Sequence, residues 1–313
     1  MPPPIAFTGR LDAADESLWL ATLRTALPEA EIRPLRELAA TACAAVDIAI
    51  VANPDPAELA RLPNLAWIHS LWAGAERLVA ELGDRVPIVR LVDPDLARVM
   101  GEAVLAWTYF LSRDMPAYAQ AQRAHRWVPR PYRSPSTTPV GLLGLGTLGQ
   151  VAARRLGEAG FPVIGWSRTA KTIDGVETVC GDTGLAALLA RATITVCLLP
   201  LTPDTRGLLD AARLALMPRG AALINFARGP IVDTRALCAA LDTGALSHAV
   251  LDVFDNEPLE ATSPLWDHPA ISVLPHVSAP TNPETAAAIV AGNIRRFWAS
   301  GTLPGTVDIA RGY

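Results

Sequence analysis

The chain has 313 residues, half of them hydrophobic, and a net charge of −4. That length favours two domains over one core, and the charge argues against a nucleic-acid surface. Four dispersed cysteines (Cys43, Cys180, Cys197, Cys238) lack zinc-ligand spacing and read as reduced cytoplasmic thiols with no metal site.

The N-terminal "MPPPIAF" has no basic stretch leading into a long apolar run, so no signal peptide is expected. No uncharged apolar run approaches the length of a transmembrane helix. Residues 5–8, 32–35, 47–52, 65–70 and 88–91 are short apolar runs that read as strands. Residues 18–26, 56–61 and 75–82 read as helices between them. Such alternation predicts a parallel sheet covered by helices on both faces. Residues 96–122 form a long, apolar helical stretch with Pro116 as its expected break. Its apolar surface calls for a partner, either a neighbouring domain or a second subunit. The proline-rich "WVPRPYRSPSTTP" reads as an extended connector carrying Trp127.

A second alternating unit follows. Residues 140–143, 163–166, 194–199, 222–226, 249–253 and 271–274 read as six strands, the count of a full dinucleotide-binding sheet. Between the first of them and a helix at 150–159 lies "GLGTLG", in which Gly144, Gly146 and Gly149 form G-x-G-x-x-G. Placed between a strand and a helix N-terminus, this turn offers backbone N–H groups and a partial positive charge to a pyrophosphate. The second strand ends in Ser167, Arg168 and Thr169, with Lys171, the only lysine of the chain, close behind. An enzyme that prefers the unphosphorylated cofactor carries an acid there to bind the ribose hydroxyls. Its replacement by Arg168 and Lys171, with hydroxyl donors at Ser167 and Thr169, fits a 2′-phosphate and hence NADP(H) preferred over NAD(H). A solvated basic loop is the alternative. Residues 283–300 read as a final helix that crosses back to the first domain, where the "GTVDIARGY" end also packs.

Three later segments carry groups suited to 2-oxo acid reduction. Arg228 follows a strand in "INFARGPIVD", Asp252 and Glu257 lie in "LDVFDNEPL", and His276 follows the last strand in "VLPHVSAPT". Each stands at the carboxyl end of a parallel strand, where open α/β sheets bind ligands. An arginine offers a planar fork for a carboxylate and can polarise a carbonyl. A histidine supplies a proton near neutral pH, and a carboxylate beside it orients it and favours its charged form.

The ordered set Gly144/Gly146/Gly149, Asn225-x-x-Arg228-Gly229, Asp252-Val253-Phe254-x-x-Glu257-Pro258 and Pro275-His276 resembles the D-2-hydroxyacid dehydrogenase family over nearly the whole chain. "WSRTAK", "SPLWDHP" and the terminal "ARGY" are most similar to its glyoxylate/hydroxypyruvate reductase A type. The resemblance implies two doubly wound, Rossmann-like parallel-sheet domains with an active-site cleft between them. Residues 1–94 plus 283–313 would bind substrate in a flavodoxin-like domain, and residues 95–282 would bind NADP. It further implies that Arg228 binds the substrate carboxylate and carbonyl, that His276 is the proton donor and that Glu257 is its partner. Thr147, Leu148, Leu199, Pro200, Leu201, Thr205 and Ala227 would line the cofactor, with Asp252 on the nicotinamide side. In "SLWAGAERL", Trp72, Ala73, Gly74 and Ala75 match the family's substrate loop, whose N–H groups hold the carboxylate. Members often have glycine at Trp72 and aspartate at Glu76, so Trp72 is expected to narrow the pocket. Trp127 is expected either to reach the cleft or to pack in a core or interface.

The implied protein is a cytoplasmic homodimer, joined through the helix around 100–122, that reduces glyoxylate or hydroxypyruvate with NADPH to glycolate or D-glycerate. Two other readings stay open. One is an NAD-linked dehydrogenase of the family acting on another acid, such as phosphoglycerate. The other is a non-catalytic, redox-sensing corepressor of the same fold.

Overall fold

The computed structural model describes residues 3–312. Residues 1–95 together with 281–313 form one unit, and residues 96–280 form the other. Met1, Pro2 and the Tyr313 that closes "ARGY" lie outside the described residues.

The first unit holds strands β1 (Ile5–Gly9), β2 (Ile32–Pro34), β3 (Ile48–Ala52), β4 (Trp67–Ser70) and β5 (Ile88–Val89) in the parallel order β2-β1-β3-β4-β5. The helices are α1 (Ala13–Ala26), α2 (Ala40–Cys43), α3 (Pro56–Leu59) and α4 (Glu76–Leu82). Helix α1 starts five residues before the predicted 18, because Asp12 accepts a hydrogen bond from Asp15 N and caps it. All five residues of β3 are buried, as a central parallel strand covered on both faces requires.

In the second unit the long helical stretch is two helices, α5 (Pro94–Ser112) and α6 (Met115–Arg123). Pro116 does not make the break. The chain turns at Asp114, which has φ 54, and Pro116 sits in the first turn of α6, where its missing N–H costs nothing. Much of the apolar face of α5 is absorbed by its own unit, where Met100, Val104 and Leu111 join the sheet core. The following connector is irregular but pinned. Asp114 forms ion pairs with Arg130 at 3.2 Å and Arg133 at 3.3 Å, and the Arg113 guanidinium lies 5.2 Å from the Tyr132 ring centre. Trp127 is 98 % exposed, which overturns core packing for it within this chain.

The second sheet has seven strands: β6 (Val140–Leu143), β7 (Val163–Ser167), β8 (Glu177–Cys180), β9 (Ile194–Cys197), β10 (Ala221–Asn225), β11 (Leu246–Leu251) and β12 (Ile271–Val273). Their order is β12-β11-β10-β9-β6-β7-β8, all parallel. The six-strand expectation missed β8, an edge strand whose side chains are exposed or half-buried, so that it carries no apolar signature. Helices α7 (Thr147–Glu158), α8 (Gly181–Arg191), α9 (Ala211–Leu214) and α10 (Thr234–Asp242) connect the strands. The last helix, α11 (Pro283–Ser300), packs its small buried face, with Ala286, Ala287 and Ala291, into the first unit's core alongside α1. The tail returns there too: Val307 is buried and its N–H donates to Ile88 O at 2.8 Å.

Candidate active site

The apolar run of β6 ends at Leu143, and α7 begins four residues later at Thr147. Gly146 occupies the cap position, and no side chain caps the helix, which leaves backbone N–H groups available for an anion. The glycines have separate physical jobs. Gly144 has φ +108. A Cβ on Gly149 would lie 1.9 Å from Gly144 O, so only glycine lets α7 close onto the turn. A Cβ on Gly146 would meet nothing within 4 Å, so its outer side is open for a ligand. Leu148 packs against the core of this unit. The turn therefore fits a dinucleotide pyrophosphate.

At the end of β7, Ser167 is buried and its hydroxyl donates to Thr169 O at 2.7 Å, folding the segment back on itself. Arg168 is half exposed and lies 3.4 Å from Asp204. Lys171 Nζ donates to Leu145 O at 2.9 Å, which ties this basic segment to the glycine turn. Cations thus line this strand end, which fits a phosphorylated ribose. Asp204, which sequence reasoning missed, comes instead from the loop after β9. Thr205 in the same loop donates to Pro200 O at 2.7 Å and accepts from Thr202 N at 2.8 Å. Leu199 is buried in the core and Leu201 packs against it, while Ala227 is buried at the end of β10.

The three groups expected to do chemistry all belong to the second unit, and two of them touch. His276 Nδ1 lies 2.7 Å from Glu257 Oε2. The other carboxylate oxygen, Oε1, accepts from Phe254 N at 2.9 Å. Burial pushes the Glu257 carboxyl up. The hydrogen bonds from His276 and Phe254 N, with the charges of His276 and Arg228, outweigh this and hold it below its ordinary value. Glu257 is therefore an anion at neutral pH, and Arg228 is close enough to act on it. Arg228 is placed by its neighbours: Asn225 Nδ2 donates to Arg228 O at 3.1 Å, and Asn225 Oδ1 accepts from Ala227 N at 3.2 Å. The Arg228 Nη1 donates to Ala227 O at 2.6 Å. A Cβ on the next residue, Gly229, would lie 2.1 Å from Phe254 C. Glycine there brings the Arg228 segment against the one that carries Glu257.

His276 has φ 54, a left-handed conformation that costs a non-glycine residue about 1–3 kcal/mol and persists only where surrounding contacts impose it. Asp252 imposes it. This buried carboxylate accepts from Val277 N at 2.7 Å and from Ser278 N at 2.9 Å, clamping the backbone just after the histidine. Sequence reasoning had Asp252 only as a cofactor neighbour. No spacing rule links residues 25 positions apart, so the clamp was not visible.

In the first unit the loop after β4 is held by its carbonyls. Ser70 O receives the His69 Nδ1–H at 2.9 Å, Trp72 O receives Leu91 N at 3.1 Å, and Ala73 O receives Arg90 Nη1 at 3.4 Å. Trp72 N donates to Ser70 Oγ at 3.0 Å. By contrast, the N–H groups of Ala73, Gly74 and Ala75 donate to no acceptor among the described residues. Trp72 packs edge-on against Trp19, with ring centres 5.8 Å apart, on the core of its own unit. His69 is fully buried and pushed down to about 4 by that burial, so it is neutral at pH 7. Its Nε2 lies 2.9 Å from Asn293 Nδ2 on α11 and accepts from it, which leaves the proton on Nδ1. This pair, 224 residues apart, was not foreseen either.

Residues 105–278 match the family described as D-isomer specific 2-hydroxyacid dehydrogenase, NAD binding domain. The chain is 36% identical over 302 residues to glyoxylate/hydroxypyruvate reductase A of Yersinia enterocolitica, covering 94% of this chain and 96% of that protein. A D-isomer specific 2-hydroxyacid dehydrogenase of Xanthobacter autotrophicus Py2, solved with NADPH and MES, superposes with a TM-score of 0.93 at 41% identity over 100% of both chains. The NADPH-dependent glyoxylate/hydroxypyruvate reductase SmGhrA of Sinorhizobium meliloti, solved with NADP and sulfate, has a TM-score of 0.91 at 35% identity over 99% of each chain.

Proposed function

The chain belongs to the D-isomer specific 2-hydroxyacid dehydrogenase family, and from that premise we propose that it reduces glyoxylate or hydroxypyruvate with NADPH. The single observation that carries this reading is the His276–Glu257 contact at 2.7 Å, at the same carboxyl end of the parallel strands as Arg228 and the glycine turn. The net change is 2-oxo acid + NADPH + H⁺ giving 2-hydroxy acid + NADP⁺. When bound, NADPH supplies the hydride. Arg228 holds the substrate carboxylate and polarises its carbonyl with a planar fork. His276 gives the proton to the carbonyl oxygen from Nε2, because Nδ1 is occupied by Glu257. Glu257 orients the imidazole and stabilises its charged form. Asp252 fixes the histidine's backbone. The N–H groups of residues 73–75 offer donors to a substrate carboxylate, as the family's substrate loop does.

For the cofactor, Gly144, Gly146, Thr147 and Gly149 take the pyrophosphate, and Arg168, Thr169 and Lys171 take the 2′-phosphate, while the buried Ser167 hydroxyl, which donates to Thr169 O, shapes that segment. Leu148, Leu199, Pro200, Leu201, Thr205 and Ala227 line the rest, with Asp252 on the nicotinamide side. A charged hydrogen bond is worth about 1.5–3 kcal/mol. Arg168→Ala should therefore cut kcat/KM for NADPH about ten- to a hundredfold, with little change for NADH. Equal losses with both cofactors would remove Arg168 from the phosphate site.

The protein is, on this reading, a cytoplasmic homodimer. No helix among the described residues is long and apolar enough to cross a membrane. The support for a second copy is the exposed aromatic surface left over on α6 and the connector: Tyr118, Trp127 and Tyr132. Sedimentation velocity should show a dimer that Trp127→Glu weakens; a monomer at all concentrations would refute it.

The function is tested with a panel of 2-oxo acids at fixed NADPH. Glyoxylate and hydroxypyruvate should lead, and hydroxypyruvate should yield D-glycerate. A lead for a phosphorylated acid, or formation of the L-product, would overturn the reading.

A further inference from the structure

We propose that Arg90 supplies the positive charge of the loop at 73–75 and binds the anionic end of the 2-oxo acid. This rests on the reading of that loop as the carboxylate site. Arg90 follows β5 directly and is partly buried. Its one polar contact among the described residues is the 3.4 Å bond from Nη1 to Ala73 O, at the outer limit for a hydrogen bond. No carboxylate among the described residues lies within ion-pair distance of it. The acid nearest in sequence, Asp93, is committed elsewhere: it accepts from Asp95 N at 2.8 Å and from the Thr285 hydroxyl at 2.6 Å. Arg77, on the helix that follows the loop, shows the ordinary arrangement, with Glu81 at 2.8 Å.

A partly buried guanidinium without a counterion is costly unless a ligand supplies one. Arg90 keeps most of its five donors for such a ligand. The adjoining loop presents the same one-sided chemistry. Its carbonyls at Ser70, Trp72 and Ala73 are all taken, while three consecutive N–H groups are not. A cation beside three unpaired amide donors favours an anionic acceptor, and a carboxylate is such a group. Arg90 thereby makes the loop discriminate charged 2-oxo acids from uncharged carbonyl compounds, a task that the amides alone perform weakly.

The test compares the parent, Arg90→Gln and Arg90→Lys. KM is measured for glyoxylate, for its uncharged methyl ester and for NADPH. Binding of oxalate, a non-reacting carboxylate, is measured by calorimetry with NADP⁺ present. Arg90→Gln should raise the glyoxylate KM and weaken oxalate about ten- to a hundredfold. The ester and NADPH constants should stay unchanged, and Arg90→Lys should recover part of the loss. Equal losses for glyoxylate and its ester would show that Arg90 merely props the loop; no loss would remove it altogether. If the parent reduces no 2-oxo acid, the proposed function fails, and oxalate binding still decides the role of Arg90.

Discussion

His276→Asn is expected to lower the rate of reduction by roughly a hundredfold or more, the usual scale for loss of a general acid. NADPH binding should survive, because no group of the phosphate turn is changed. Reduction consumes a proton, and His276 is the histidine of this site, with Nδ1 held by Glu257 at 2.7 Å. The proton delivered to the substrate comes from His276, so reduction should fall toward alkaline pH. Glu257 sets the other side of the profile. Its folded pKa is lowered, so its charge and its contribution are present above the ordinary carboxylate value. They are lost only as pH falls through the depressed one. Glu257→Gln should keep more activity than His276→Asn and move the alkaline fall to lower pH, since the charged imidazole loses its partner. The measurement is the reduction rate against pH at saturating substrate. An unmoved alkaline fall would remove Glu257 from the pair, and near-normal turnover in His276→Asn would remove the histidine as the acid.

Arg228→Lys is expected to cost about as much, although it conserves the charge. An ammonium cannot present two parallel donors to a carboxylate while polarising a neighbouring carbonyl. The surroundings are also built for arginine: Nη1 donates to Ala227 O at 2.6 Å, and Asn225 brackets the backbone on either side of the turn. A fall of roughly a hundredfold in kcat/KM corresponds to about 2.7 kcal/mol, within the range of a lost charge-assisted hydrogen bond. NADPH affinity, read by fluorescence titration, should change little. A lysine variant that works as well as the parent would show that Arg228 is not the substrate clamp.

The parts of this site that were legible in the sequence share one property. Gly144, Arg228 and His276 each follow a short apolar run, buried throughout in β6 and β10 and half-buried in the edge strand β12, and such runs are recognisable without a partner strand. The two sheets were legible for the same reason. The edge strand β8 was not, because Glu177 and Cys180 are exposed and its residues form no apolar period. The break at Asp114 was hidden by the stronger but misleading signal of Pro116 two residues on. Contacts that depend on tertiary closure were also invisible. Asp252 reads as one more acid until β11 and the turn after β12 are brought together. His69 reads as a lone strand histidine until α11 supplies Asn293. Asp204 reads as a loop acid until it meets Arg168.

NADPH oxidation by this chain drives reduction of a small 2-oxo acid. The most direct measurement follows NADPH and glyoxylate together with the purified protein, quantifies glycolate, and repeats the assay with NADH. One glycolate should form for each NADPH consumed, and kcat/KM should be higher with NADPH than with NADH. Tight NADPH binding without turnover of any 2-oxo acid, as in a redox sensor of this fold, or a higher efficiency with NADH, would contradict it.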